Sequence, residues 1–333
     1  MLGKRRPARQ RTGVSGLQRR ANEAPAAATP AVESSVVIER LAHDGRGVAH
    51  AASGKTLFVE GALPGERVDV AVHRTRKRYD EAHVRELFEP AAERTVPPCV
   101  YYGQCGGCDL QHLVVEAQRE HKRAVLVELL RREGIELPEP PGLLAGAPLG
   151  YRRRARLGVK VDAEGNVHLG FRARHTSRLV DIQGCEVLVP ELAALIGPLR
   201  KLLTELEAPR LVGHLELITA DSARVVVVRQ LRDNGADLQR WRAFGEEHGV
   251  ALACLLGREE PSLEWLGKTP ALGYRLPGSE GELELGFAPG DFVQVNEQVN
   301  RELVATVRHW LAPVASRRVL DLFAGIGNFG LPL

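Results

Sequence analysis

The stretch Val319-Leu-Asp-Leu-Phe-Ala-Gly-Ile-Gly-Asn-Phe-Gly330 decides the reading of the fold. Val319, Leu320 and Leu322 have the composition of a buried parallel strand, and Gly325, Gly327 and Gly330 make the turn by which such a strand hands over to a helix. Glycines there let the backbone approach a ligand, and the free N–H groups of the next helix face its polar atoms. The spacing also satisfies G-x-G-x-x-G, which dinucleotide-binding folds share, and a glycine turn without a ligand is the plain alternative. A nicotinamide site would carry its acidic ribose partner about 20 residues downstream, past Leu333. A doubly wound domain needs several more βα units, so we expect a fragment that holds only the start of a Rossmann-like domain.

Working outward, the 333 residues are 44% hydrophobic and 26% charged, an ordinary globular composition with room for two or three cores. The net charge is only +3, but Lys4, Arg5, Arg6, Arg9, Arg11, Arg19 and Arg20 all precede the first acid, Glu23. Residues 1–34 therefore read as a basic, disordered tail that attracts phosphates, with an organellar transit peptide as the competing reading. No apolar stretch approaches the ~20 residues of a membrane helix. The expectation is a cytoplasmic monomer with no membrane partner, whose five cysteines are not disulfide staples.

Short β-rich runs from Val36 to Phe88, punctuated by Gly45, Gly47, Gly54 and Pro64-Gly65, predict a five-stranded barrel over 35–90. The turns His43-Asp-Gly-Arg-Gly-Val48 and Val59-Glu-Gly-Ala-Leu-Pro-Gly-Glu66 resemble the TRAM domain, an OB-like RNA-binding barrel. Arg74, Arg76, Lys77 and Arg78 beside Tyr79 are candidates for phosphate contact and base stacking, or simply a charged hairpin tip.

In Pro97-Pro-Cys-Val-Tyr-Tyr-Gly-Gln-Cys-Gly-Gly-Cys108, five residues separate Cys99 from Cys105 and two separate Cys105 from Cys108. Thiolates this close, with Gly106 and Gly107 letting the backbone wrap, have metal-ligand spacing. Cys185 is the fourth candidate, and His112 a substitute. The set resembles the [4Fe-4S] site of bacterial uridine-5 methyltransferases of the large ribosomal RNA; zinc on the same cysteines is the alternative. Cys254 lies in an apolar run and reads as core.

A central α+β domain over 91–285 is expected to hold this loop, with a helix from Leu113 to Arg132 and further helices at 190–206 and 237–248. It opens with Tyr151-Arg-Arg-Arg-Ala-Arg-Leu157, where strand alternation puts Arg152, Arg154 and Arg156 on one side as a guanidinium stripe for RNA. Asn296 is a candidate cap for a helix with Val299, Leu303, Val307 and Leu311 on one face, closed by Pro313.

Phe292-Val-Gln-Val-Asn296 and Asp321-Leu-Phe-Ala-Gly-Ile-Gly-Asn328 resemble the segment before motif I, and motif I itself, of the same methyltransferase family. The whole is then a multidomain α/β protein ending in the beginning of an S-adenosylmethionine-binding domain, 286–333. The resemblance implies S-adenosylmethionine contacts at Gln294, Phe323, Gly325, Gly327 and Asn328, with Asp321 supporting the loop. It implies formation of 5-methyluridine in 23S rRNA through a covalent cysteine–uracil adduct, with the nucleophile and base lying beyond Leu333. An iron–sulfur oxidoreductase using the glycines for a dinucleotide, or an RNA-binding module without chemistry, are the alternatives.

Overall fold

The computed structural model describes residues 35–279, 281–311 and 318–333. The expected basic tail, and the proline expected to close the last helix, lie outside them. A six-stranded sheet is built from β1 (Val36–Val37), β2 (Arg40–Leu41), β3 (Gly47–His50), β4 (Thr56–Glu60), β5 (Arg67–Thr75) and β6 (Tyr79–Glu89), in the order β1-β5-β6-β4-β3-β2. Its two end strands are halves of one segment, kinked where Ile38 bonds to Glu66 and Glu39 to Val48, so the sheet curls round on itself. Ile38, Ala49, Leu57, Val59, Val68 and Ala82 fill its interior. The sequence read 43–48 as a turn only, but Gly47 to His50 continue into β3.

The barrel is held to the next segment by a buried acid. Glu66 is fully buried at the turn after β4, accepts the N–H groups of Leu63 and Ala91, and forms an ion pair with Arg94, whose guanidinium also bonds Gly61 O at 2.7 Å. Burial opposes ionisation of Glu66, but the Arg94 bonds and the two amide N–H groups outweigh it and hold the carboxyl below its usual range. Helix α1 (Val115–Arg132) then runs outside the barrel. The helix expected from Leu113 is thus present, but no residue of α1 is buried, and Leu126 and Leu129 are about half exposed.

The central unit is a seven-stranded mixed sheet, β13-β12-β11-β10-β7-β8-β9. Its strands are β7 (Arg154–Val161), β8 (Val167–Arg172), β9 (Leu179–Asp181), β10 (Val212–Thr219), β11 (Arg224–Gln230), β12 (Ala251–Leu256) and β13 (Ser262–Trp265). Helices α2 (Pro190–Ala193), α3 (Ile196–Glu205) and α4 (Gly235–His248) contribute to the core on one face, where Ile196, Leu199, Leu203, Trp241 and Phe244 meet Leu157, Leu169, Leu215 and Val226. The helix expected over 190–206 is broken at Ala194 and Leu195.

A hairpin that the sequence reading missed, β14 (Gly273–Gly278) with β15 (Gly281–Gly286), packs with helix α5 (Glu297–Leu311). Asn296 caps α5 by accepting Val299 N–H at 3.1 Å, as its position suggested. The buried positions of α5 are Asn300 and Val304, one step round from the expected stripe, because Asn300 is drawn into hydrogen bonds below the helix.

The largest departure is at 319–322, expected as a buried parallel strand. No strand forms there among the described residues, and Val319, Leu320 and Leu322 are 55%, 80% and 69% exposed. A parallel strand is stable only when neighbours pair with it and cover it, and none does so here.

Arg153 joins these units. It is 5% exposed, pairs with Asp221 at 3.0 Å and Glu297 at 3.4 Å, donates to Thr219 O, and lies 5.5 Å from the Tyr274 ring centre. Arg153→Met should keep volume but leave Asp221 and Glu297 without their cation. We expect a loss of about 2 kcal/mol, on the low side for a buried pair because both acids keep some solvent. The measurement is the urea midpoint, and an unchanged midpoint would show that these contacts contribute little.

Candidate functional site

The four predicted cysteines come together. Cys99, Cys105, Cys108 and Cys185 line one cavity of about 250 Å³ with Tyr102, Gln111, Arg152, Ala155, Arg156, Phe171, Glu186 and Val187. Three cysteines arrive on the loop 97–111 and one on the segment after β9, and backbone contacts stitch the two. Gly106 donates to Arg172 O at 2.9 Å, and a Cβ at Gly106 would stand 3.0 Å from that same oxygen, so a side chain there would press the loop away from β8. Gln183 N–H donates to the Tyr101 hydroxyl at 2.8 Å. Arg174 bonds Cys108 O, pairs with Asp109 at 3.1 Å and lies over the Tyr102 ring.

Burial, and then the neighbouring thiols, push the Cys105 and Cys108 thiols up, as they do Cys185. Three thiols that disfavour ionisation one beside another are what a cationic metal centre would reverse. In this arrangement no three His, Cys, Asp or Glu side chains among the described residues are gathered tightly enough for a single metal ion. His112, the substitute ligand, points elsewhere. It is buried, its Nδ1 meets the Tyr102 hydroxyl, and burial first, then the Arg94 charge, lowers it to about 4. Cys254 is fully buried in β12, where burial pushes its thiol up to about 12.

The expected arginine stripe divides. Arg154 reaches Glu216 at 2.9 Å and also bonds Asp291 O, so its charge is spent inside the fold. Arg156, opposite Glu216 in the β7–β10 register, stays 61% exposed at 3.7 Å from it. Arg152 precedes β7 and lines the cysteine cavity. At the β5–β6 tip, Arg74 and Arg76 share Glu81 loosely, at 3.7 and 3.9 Å, while Lys77 and Arg78 are exposed and form no ion pair among the described residues.

The glycine loop is a series of turns. Gly325 and Gly327 have φ of 58° and 82°, and Leu331 N–H bonds Gly327 O at 3.0 Å, a single helical step. Phe323 is also left-handed, at φ 61°, with its ring wholly exposed. Asp321 is exposed and its carboxylate lies over Gly330, where a Cβ would meet it at 2.7 Å. Asn328 faces inward. Its amide exchanges two 2.9 Å bonds with the Asn300 amide and accepts the Tyr274 hydroxyl at 2.8 Å. Gln294 is half-buried between Val293, in the core below α5, and Val295, whose carbonyl accepts Arg153 N–H. Asn300 and Arg153 escaped the sequence reading. Arg153 could have been found, because it alternates with Ala155 and Leu157, whose side chains are buried.

Residues 33–84 match the TRAM domain family. A 23S rRNA (uracil(1939)-C(5))-methyltransferase RlmD of Halomonas elongata is 59% identical over all of this chain and 70% of its own length. Its counterpart in Chromohalobacter salexigens is 57% identical with the same coverage, and that of Pectobacterium atrosepticum 41% identical over 92% of this chain and 67% of its own. Among solved structures, the tRNA (uracil-54, C5)-methyltransferase of Pyrococcus abyssi, in complex with S-adenosyl-L-homocysteine, superposes with a TM-score of 0.65 at 21% identity. It covers 90% of this chain and 69% of that one, and so shares the fold. Matched along its whole length at that identity, the chain belongs to the 23S rRNA (uracil-C5)-methyltransferase RlmD family.

Proposed function

We propose that the chain serves S-adenosylmethionine-dependent methylation of carbon 5 of a uridine in 23S rRNA, the uracil that its relatives' names number 1939. The observation that carries this reading is the 59% identity over the full chain. When bound, S-adenosylmethionine supplies an electrophilic methyl group. The chain's part is to hold it: Gly325 and Gly327 offer close backbone approach, Phe323 an exposed ring and Gln294 an amide on the segment before α5. Asn328 orders the loop from inside, since Tyr274 and Asn300 already satisfy its amide.

Carbon 5 of uracil becomes nucleophilic once a thiolate adds to carbon 6. Four of the five cysteines share one cavity and Cys254 is buried with its thiol near 12. The nucleophile therefore belongs, in this reading, to the part of the relatives' length that this chain does not span. An oxidoreductase reading would leave the TRAM barrel without a purpose.

The cysteines are the ligands of a [4Fe-4S] cluster in this proposal. Tetrahedral zinc, with Zn–S of about 2.3 Å, is the alternative occupant of the same four cysteines. A cluster with one thiolate on each iron spreads its ligands round a larger body, which suits four cysteines on the wall of a 250 Å³ cavity. The RNA contacts in this reading are Lys77, Arg78 and Arg156, the freest of the candidate cations, with Arg74 and Arg76 beside them. No described helix is long and apolar enough to cross a membrane, and the reaction belongs where ribosomal RNA is made, in the cytoplasm.

Three outcomes test this. Disrupting the gene for this chain should remove one 5-methyluridine from 23S rRNA, read by nucleoside analysis of digested RNA; an unchanged nucleoside content would overturn the activity. Protein purified without oxygen should be brown, with about four irons and four sulfides, and Cys185→Ala should lose the colour and unfold more readily. Stoichiometric zinc without iron would assign the site to zinc instead. Reversing Lys77, Arg78 and Arg156 to Glu should weaken RNA binding and reduce its log–log salt slope by about one unit for each phosphate no longer neutralised, whereas equal slopes would make these side chains a solvated surface.

A further inference from the structure

We propose that Arg152 is the charge-compensating residue of the cysteine cavity, setting how readily a cluster held by Cys99, Cys105, Cys108 and Cys185 accepts an electron. This rests on the cluster reading above. The arginine is half-buried on the cavity wall, yet its guanidinium forms no ion pair and no side-chain hydrogen bond among the described residues. Its neighbours differ: Arg153 has Asp221 and Glu297, and Arg154 has Glu216. A half-buried charge without a partner is costly, and what faces it here is a set of four thiols.

The backbone keeps it in place. Arg152 N–H donates to Val187 O at 2.8 Å, its carbonyl accepts Val189 N–H at 3.1 Å, and it bridges both Leu188 and Asn296. Those contacts fix it beside the Cys185 segment, so side-chain variants leave its position in the fold unaltered. Glu186, the acid in the same lining, is exposed and forms no ion pair with it.

A [4Fe-4S]2+ core with four thiolates carries a net charge of about −2, and one electron, supplied by dithionite, takes it to about −3 with no bond made or broken. A fixed cation stabilises the more negative state, and stabilises it more where solvent is excluded. Removing it makes reduction harder.

The test is a dithionite titration of the anaerobically purified 333-residue protein, followed by loss of visible absorbance. Arg152→Gln should be at least tenfold harder to reduce, a midpoint lower by ~59 mV for a one-electron couple. Arg152→Lys should recover most of that. Arg156→Gln, the same charge change on the solvent-exposed rim of the cavity, should shift it by less than a third as much. A loaded protein whose Arg152→Gln midpoint is unchanged overturns this inference and leaves the cluster standing. A Lys variant as low as the Gln variant overturns it too, since packing rather than charge would then be at work. Parent protein without iron and sulfide overturns both readings. Should Arg152→Gln shed its cluster on purification, retention by Arg152→Lys supports the charge role and loss from both overturns it.

Discussion

The buried guanidinium of Arg153 is the contact on which the arrangement of the C-terminal half depends. Its backbone continues the central sheet, with N–H to Val295 O and carbonyl to Thr219 N–H, while its side chain reaches Asp221 and Glu297. Asp221 in turn accepts Arg275 N–H and donates its own N–H to Gly273 O, which ties the hairpin β14–β15 to the turn after β10. Tyr274, beside Arg153, passes the connection on through its hydroxyl to Asn328 and thence Asn300. A line of polar contacts thus runs from the sheet to the glycine loop. Arg153, Tyr274, Asn300 and Asn328 are buried, and removing one of them leaves the next with an unmet hydrogen bond.

The barrel is held by the same kind of device. Glu66 and Arg94 form a buried pair whose remaining acceptors and donors are met by Leu63, Ala91 and Gly61. Thr95, next to Arg94, bonds His112 O, and His112 stacks on Tyr102 at the edge of the cysteine cavity. His175, in the left-handed conformation at φ 51°, adds an ion-pair distance of 3.1 Å to Glu60 from the loop after β8. The cysteine loop therefore lies between two anchored bodies, and whatever stiffens that loop stiffens the barrel's attachment.

The parts of this structure that were legible in sequence are those where one physical rule dominates. The cysteine spacing and the helices expected at Leu113 to Arg132 and 237–248 follow from local pattern. The hairpin at 273–286 was hidden because Pro277, three acids and four glycines blur its alternation. Asn300 was hidden because an amide in a helix reads as solvated, and only the fold reveals the second amide, Asn328, that satisfies it. The strand at 319–322 failed in the opposite way, its composition right for burial but its neighbours missing.

Six residues show how little charge alone says about use. Tyr151 to Arg156 contain four arginines, which as a run suggest one basic strip. Continuing the strand's alternation, Arg153 falls on the side of Ala155 and Leu157, where two acids, the Thr219 carbonyl and the Tyr274 face make its burial tolerable. Arg154 and Arg156 point the other way and compete for a single carboxylate, Glu216, which lies nearer Arg154 and leaves Arg156 to solvent. Arg152 also precedes the strand, and it lines the cysteine cavity while Arg153 and Arg154 pair with carboxylates. The partner that each cation meets, set by register and burial, decides whether it stabilises the fold, stays in solvent or lines the cysteine cavity.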